Sequence, residues 1–172
     1  RLWIVGDRGL ARYRHLHNAA ETIRVEVPEQ QSLRCAAISD DGEFIAAGSS
    51  AKNVLVWRLS TPDRQIELVT LSGHAGAVND VGLVGNDAGN LRVFSASQDG
   101  TTRVWDPQFA ATIANADESG RGREIISLRR HEGDVTALDT TANGDLLMTA
   151  GGDGQVVLWP ADPPTENVSG KP

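Results

Sequence analysis

The sequence predicts an all-β fold of four-stranded antiparallel sheets stacked side by side, and three observations carry that expectation. Short alternating apolar strings that end in tryptophan recur along the chain. Asp-Gly pairs, the signature of a tight hairpin turn, stand at a fixed distance before two of them. No segment shows helical periodicity.

The strings are Asn53 to Trp57 (NVLVW), Thr101 to Trp105 (TTRVW) and Gln155 to Trp159 (QVVLW), spaced 48 and 54 residues apart. Asp99 and Asp153 stand six residues before Trp105 and Trp159, each followed by glycine. Another apolar strand precedes each turn, Leu91 to Ser97 and Leu146 to Ala150. Further upstream, His74 and His131 open the similar strings HAGAVNDV and HEGDVTAL, and each leads into a strand rich in Val and Leu. A fourth strand follows the tryptophan, at Gln65 to Leu71 and at Arg123 to Leu128, and runs to the next histidine. A sheet of four such strands has two faces to bury, so it must stack on neighbours of its own kind.

The segments from Leu71 through Asp106 and from Leu128 through Trp159 resemble WD repeats. Ser72 to His74 stands for the glycine-histidine mark and Trp105-Asp106 for the eponymous dipeptide. The resemblance implies a β-propeller of four-stranded antiparallel blades, here a partial ring of about three blades plus part of a preceding one. Residues 74–128 make one blade and 131–161 the last, which lacks its outer strand. Residues 32–71 make a degenerate blade: LRCAAIS, EFIAAGS and NVLVW are in place and Asp41-Gly42 turns the first hairpin. Glu29, however, holds the histidine position, Ala47 the serine position and Ala51 the aspartate position. Residues 1–27 supply three strands of a preceding blade if Asp7 matches Asp99 and Tyr13 matches Trp105. Matching Trp3 to Trp57 instead requires a connection of roughly twenty residues before Thr22, which is long for such a sheet. Residues 162–172, rich in Pro and polar residues, read as a flexible tail. With Arg1 and no initiator Met at its start, the chain reads as part of something longer, which is the expectation.

Within the family, the His, Ser or Thr, Asp and Trp of a repeat form a hydrogen-bonded chain. The resemblance assigns His74, Ser95, Asp99 and Trp105 to one tetrad and His131, Thr149, Asp153 and Trp159 to another. Ser95, His74 and Asp99 are also the residue types of a hydrolase triad. The set recurs with Thr149, a Trp accompanies it each time, and no G-x-S-x-G elbow is present, so the expectation is a structural role. Family partners often dock three and five residues after the histidine and one before the aspartate. This picks Ser32, Arg34 and Ser50 in the degenerate blade, Ala77, Asn79 and Gln98 in the next, and Asp134, Thr136 and Gly152 in the last.

Composition narrows the remaining classes. A formal charge of −7 argues against a surface that tracks phosphates. No apolar stretch reaches membrane-spanning length and nothing resembles a signal peptide, which gives a cytoplasmic expectation without membrane insertion. The single cysteine, Cys35, reads as a small buried apolar side chain. His15 and His17 are too few for a metal site, Gly151 to Gly154 lacks the lysine of a phosphate loop, and Arg121, Arg123, Arg129 and Arg130 near Glu118 and Glu124 read as a mixed-charge edge. No catalytic residue, metal or cofactor is expected. The function expected is a non-enzymatic scaffold of a larger regulatory or signalling protein, binding other proteins or domains of its own polypeptide. The alternative is part of a propeller enzyme whose catalytic groups lie outside this stretch.

Overall fold

The computed structural model describes residues 2–6, 10–14, 22–28, 31–59, 66–85, 89–109 and 122–161. Asp7, His15, His17, Glu29, Glu118, Arg121 and the tail 162–172 lie outside the described residues. Every regular element among the described residues is a strand. The first sheet holds β1 (Leu2–Gly6), β2 (Leu10–Arg14) and β3 (Thr22–Glu26), and the second β4 (Leu33–Ile38), β5 (Phe44–Ser49), β6 (Asn53–Leu59) and β7 (Ile66–Ser72). The third holds β8 (Val78–Val84), β9 (Arg92–Ser97), β10 (Thr101–Asp106) and β11 (Arg123–Arg129), and the fourth β12 (Val135–Thr140), β13 (Leu146–Gly151) and β14 (Val156–Pro160). Within each sheet the strands follow chain order, and all pairs are antiparallel.

Consecutive sheets meet along their inner strands. β8 packs on β4, β5 and β6 of the sheet before it, and β12 packs on β8 and β9. β1 touches β4 in the same relation as β5 to β8, as the second strand of the preceding sheet. The first hairpin departs from the alignment above in register: Tyr13 lies opposite Trp3, whereas Trp105 lies opposite Val93, the residue matched to Arg1. A one-residue shift of the turn produces this difference, and the turn itself, residues 7–9, lies outside the described residues.

The core lies between sheets, as their two-faced character requires. Val25, Val27, Leu33, Ile45, Ala47, Leu55, Trp57 and Leu59 fill the space between the first and second sheets. Phe44, Ala46, Val54, Val56, Val78, Val81, Val93 and Trp105 are among those between the second and third. All six residues of β5 are buried, because a neighbour covers each side. Burying a Val, Leu or Phe side chain stabilises by about 1.5–3 kcal/mol, so stacking is the dominant favourable term. The approach is close: a Cβ on Gly48 would sit 2.5 Å from Val78 Cγ1 and 2.6 Å from Cys35 Sγ. In this gap burial pushes the Cys35 thiol up to about 12, which keeps it neutral.

Hairpin chemistry repeats with the fold. In the second sheet the Ser39 hydroxyl accepts from the Phe44 N–H at 3.0 Å, and Gly42 turns the chain at φ 80°. In the fourth, Thr141 accepts from Leu146 N–H at 3.1 Å and Gly144 turns at φ 76°. The turns between the second and third strands place Gly100 and Gly154 at φ 77° and 78°, and Lys52 takes the same position in the degenerate sheet at φ 71°.

Candidate functional site

The third sheet brings His74, Ser95, Asp99 and Trp105 into one chain of contacts. The connection between β7 and β8 contributes the imidazole, β9 the hydroxyl, the following turn the carboxylate and β10 the indole. Trp105 Nε1–H donates to Ser95 Oγ at 2.8 Å, and Ser95 Oγ lies 2.7 Å from His74 Nε2. His74 Nδ1 lies 2.9 Å from Asp99 Oδ2. Proton counting sets the tautomer. The indole can only donate and the carboxylate only accept, so the hydroxyl donates to Nε2 and Nδ1–H donates to Asp99. Every polar atom in the chain is thereby satisfied with a neutral ring.

Electrostatics agree with that assignment. Burial lowers the His74 pKa from 6.5, and the Asp99 hydrogen bond only partly opposes it. For Asp99 burial acts upward, yet the hydrogen bonds from the Thr101 hydroxyl, Ala75 N–H and His74 outweigh it and hold the carboxyl well below its usual range. Thr101 and Arg103 are partners that residue spacing did not reveal. The Thr101 hydroxyl donates to Asp99 Oδ1 at 2.6 Å, and the Arg103 guanidinium lies 5.8 Å from the Trp105 ring centre and bonds Glu124. A Cβ at Gly73 would meet Arg103 Nη1 at 2.6 Å, so the glycine before the histidine makes room for that arginine.

The fourth sheet repeats the chain. Trp159 Nε1–H donates to Thr149 Oγ1 at 2.9 Å, His131 Nε2 lies 2.9 Å from the same oxygen, and His131 Nδ1 lies 3.0 Å from Asp153 Oδ1. The N–H of Glu132, with His131, draws the Asp153 carboxyl below its usual value. In the second sheet Ala47 is buried and Ala51 exposed, so no hydroxyl or carboxylate stands at either position. Ser95 is fully buried, and its oxygen already accepts the Trp105 N–H. Among the described residues no group of three or more His, Cys, Asp or Glu is placed to hold a metal.

The nine candidate docking residues fall into three equivalent sets. Ser50 N–H donates to Ser32 O at 2.9 Å, Gln98 N–H to Ala77 O at 2.9 Å and Gly152 N–H to Asp134 O at 2.8 Å. Beside each rung the inner strand carries a β-bulge, at Leu33/Cys35, Val78/Asp80 and Val135/Ala137. The extra residues are Arg34, Asn79 and Thr136, re-aimed by the bulge. Two members need correction. Ala77 is only 9% exposed, because Ser97 and Gln98 bond its carbonyl and close the turn over it. Asn79 spends its amide on the neighbouring sheet, donating to Val135 O at 2.8 Å. Ser32, Arg34, Ser50, Gln98, Asp134, Thr136 and Gly152 are exposed.

The inter-sheet clasp containing Asn79 was not legible from spacing. Next to it, Asp80 Oδ2 accepts from Leu138 N–H at 2.8 Å and Oδ1 from Val81 N–H at 2.9 Å, while burial raises its pKa. Adjacent side chains of β8 thus complete backbone bonds of β12. The signal was an Asn-Asp pair in an otherwise apolar strand.

The WD domain, G-beta repeat pattern matches residues 23–58, 65–106 and 122–160. The chain is 28% identical over 124 residues to protein transport protein sec13 of Emericella nidulans, covering 71% of this chain and 37% of that one. It is 28% identical over 151 residues to the periodic tryptophan protein 2 homolog of Schizosaccharomyces pombe, covering 87% and 15%. With dynein axonemal assembly factor 10 of Bos taurus it shares 29% identity over 89 residues, 48% of this chain and 24% of the relative. The chain therefore spans a quarter or less of the latter two relatives. A chain in a crystal structure of the mitotic checkpoint complex superposes with a TM-score of 0.70 at 22% identity, covering 92% of this chain and 44% of that one. With three matched repeats across more than half its length, and stacked sheets of matching architecture, this chain belongs to the WD-repeat family of β-propellers.

Proposed function

We propose that this chain is the docking module of a larger regulatory or signalling protein, and that it binds other proteins, or domains of its own polypeptide, on the face where the Asp-Gly turns emerge. The family is one of protein-interaction propellers, and the finer assignment rests on one observation. Three equivalent rungs, each with a bulge beside it, hold six exposed polar residues and Gly152 on one rigid face. Rigid presentation favours binding, since little conformational entropy is lost when a partner docks. Both hydroxyl-imidazole-carboxylate clusters are committed to internal bonds, which supports a non-catalytic role without cofactor or metal. Net negative charge supports a protein rather than a nucleic-acid partner. No helix among the described residues is long and apolar enough to cross a membrane, and the cytoplasm is the proposed location.

The test places bulk on the face without touching the tetrads. Gln98→Trp and Thr136→Trp, each confirmed folded by thermal unfolding, are compared with the parent in partner capture from the source lysate. Loss of captured proteins supports the face, and an unchanged set removes it from consideration.

A further inference from the structure

The turn-bearing face changes sign from one blade to the next. On the second sheet, Arg34 in the bulge and Lys52 at the turn are both exposed. Neither side chain forms an ion pair or hydrogen bond among the described residues. On the third sheet the corresponding residues, Asn79 and Gly100, are neutral, and the Asp99 carboxylate is taken up by His74, Ala75 and Thr101. On the fourth, Glu132 and Asp134 are exposed, and their carboxylates have no ion pair or hydrogen bond among the described residues. Arg129 and Arg130 are also exposed at the turn-bearing end, where Arg129 lies opposite Thr101, but they stand on the outermost strand of the third sheet, at the rim of the face and not beside the inner bulges.

The geometry points to a partner of matching polarity: an extended segment with acidic side chains over the second sheet and basic ones over the fourth. This inference rests on the docking face proposed above and names the chemistry of what it takes. Stacked sheets lie about 10 Å apart, so the two poles are about 20 Å apart, a span of about six extended residues at 3.3 Å each. Arg34 is the group best suited to grip a carboxylate, because its fork bonds both oxygens and its equivalents are already spent. Asn79 holds Val135, and Thr136 donates to Ala150 O at 3.1 Å. Exposed charge pairs contribute little affinity each but fix orientation, so the poles set which way the segment lies.

The test measures fluorescence anisotropy of labelled peptides titrated with the full chain at low salt. One peptide carries an acidic block and a basic block separated by about six Gly-Ser residues, and a second has the same composition with the charges alternated. The expected result is tighter binding of the two-block peptide, with Arg34→Glu and Asp134→Arg each weakening it about fivefold. Reversing both poles in full, Arg34→Glu/Lys52→Glu/Glu132→Lys/Asp134→Arg, restores binding, since the peptide can lie the other way round. Equal binding of both peptides, or single reversals without effect, overturns the polarity. In that event, the Gln98→Trp and Thr136→Trp capture experiment separates the two claims: if capture still depends on those residues, the face stands and only its charge preference falls.

Discussion

At the scale of single residues, Ser95 carries more than its size suggests. It accepts from one buried donor and donates to a buried imidazole, so Ser95→Ala orphans both Trp105 Nε1 and His74 Nε2. An unsatisfied buried polar group costs about 1–3 kcal/mol, and chemical denaturation should show a loss of that order, with Asp99→Ala comparable. Acid should weaken the same network in two stages. His74 has a folded pKa below 6.5, so the unfolded chain takes up the extra proton and stability declines as pH falls through that value. Asp99 is held below its ordinary value of 3.8, so its contribution is present above that pH and is lost further down. Melting temperatures should fall from pH 7 to 3 in the parent; in Asp99→Asn the fall that begins near pH 6.5 should steepen, since no carboxylate supports the protonated ring, and the step below pH 3.8 should disappear. The tetrad residues were legible because four residue types recur at fixed offsets. Thr101, Arg103 and the Asn79-Asp80 clasp were not, because each acts across strands or sheets where chain spacing carries no signal.

At the scale of elements, the degenerate blade shows which features a sheet can lose. It has no serine or aspartate at the network positions, yet β5 and β6 are its most deeply buried strands. Stacking on both sides compensates for the missing polar chain. Lys52 carries the cost of the lost Asp-Gly turn, since φ 71° crowds a Cβ against the backbone. Lys52→Gly should raise stability by about 0.5–1 kcal/mol, read from the denaturation midpoint. Gly48→Val should act oppositely, driving Val78 and Cys35 out of contact and lowering the melting temperature by several degrees. Strand order and hairpin turns could be read from apolar alternation and Asp-Gly pairs. The bulges at Arg34, Asn79 and Thr136 could not, because an extra residue in a ladder appears only once its partner strand is in register.

At the scale of the whole molecule, the second and fourth sheets make an internal comparison. Ala46, Val54 and Val56 are fully buried by the third sheet, whereas their equivalents Met148, Val156 and Leu158 are 41%, 64% and 59% exposed. The same contrast holds for Val69, 2% exposed, and Ile126, 48% exposed, on the outer strands. These faces have the shape and composition of inter-blade surfaces, and an exposed apolar sheet face promotes association. Met148→Lys/Leu158→Lys should reduce self-association of the chain in sedimentation velocity while leaving the third-sheet tetrad intact. The central claim, that a closed and neutral hydrogen-bonded chain locks the two blades that carry it, is tested most directly by side-chain nitrogen NMR of His74. The predicted spectrum is a neutral ring protonated at Nδ1 and bare at Nε2, which gains its second proton at a lower pH than a free histidine. A ring protonated at Nε2, or one that titrates like free histidine, would contradict it.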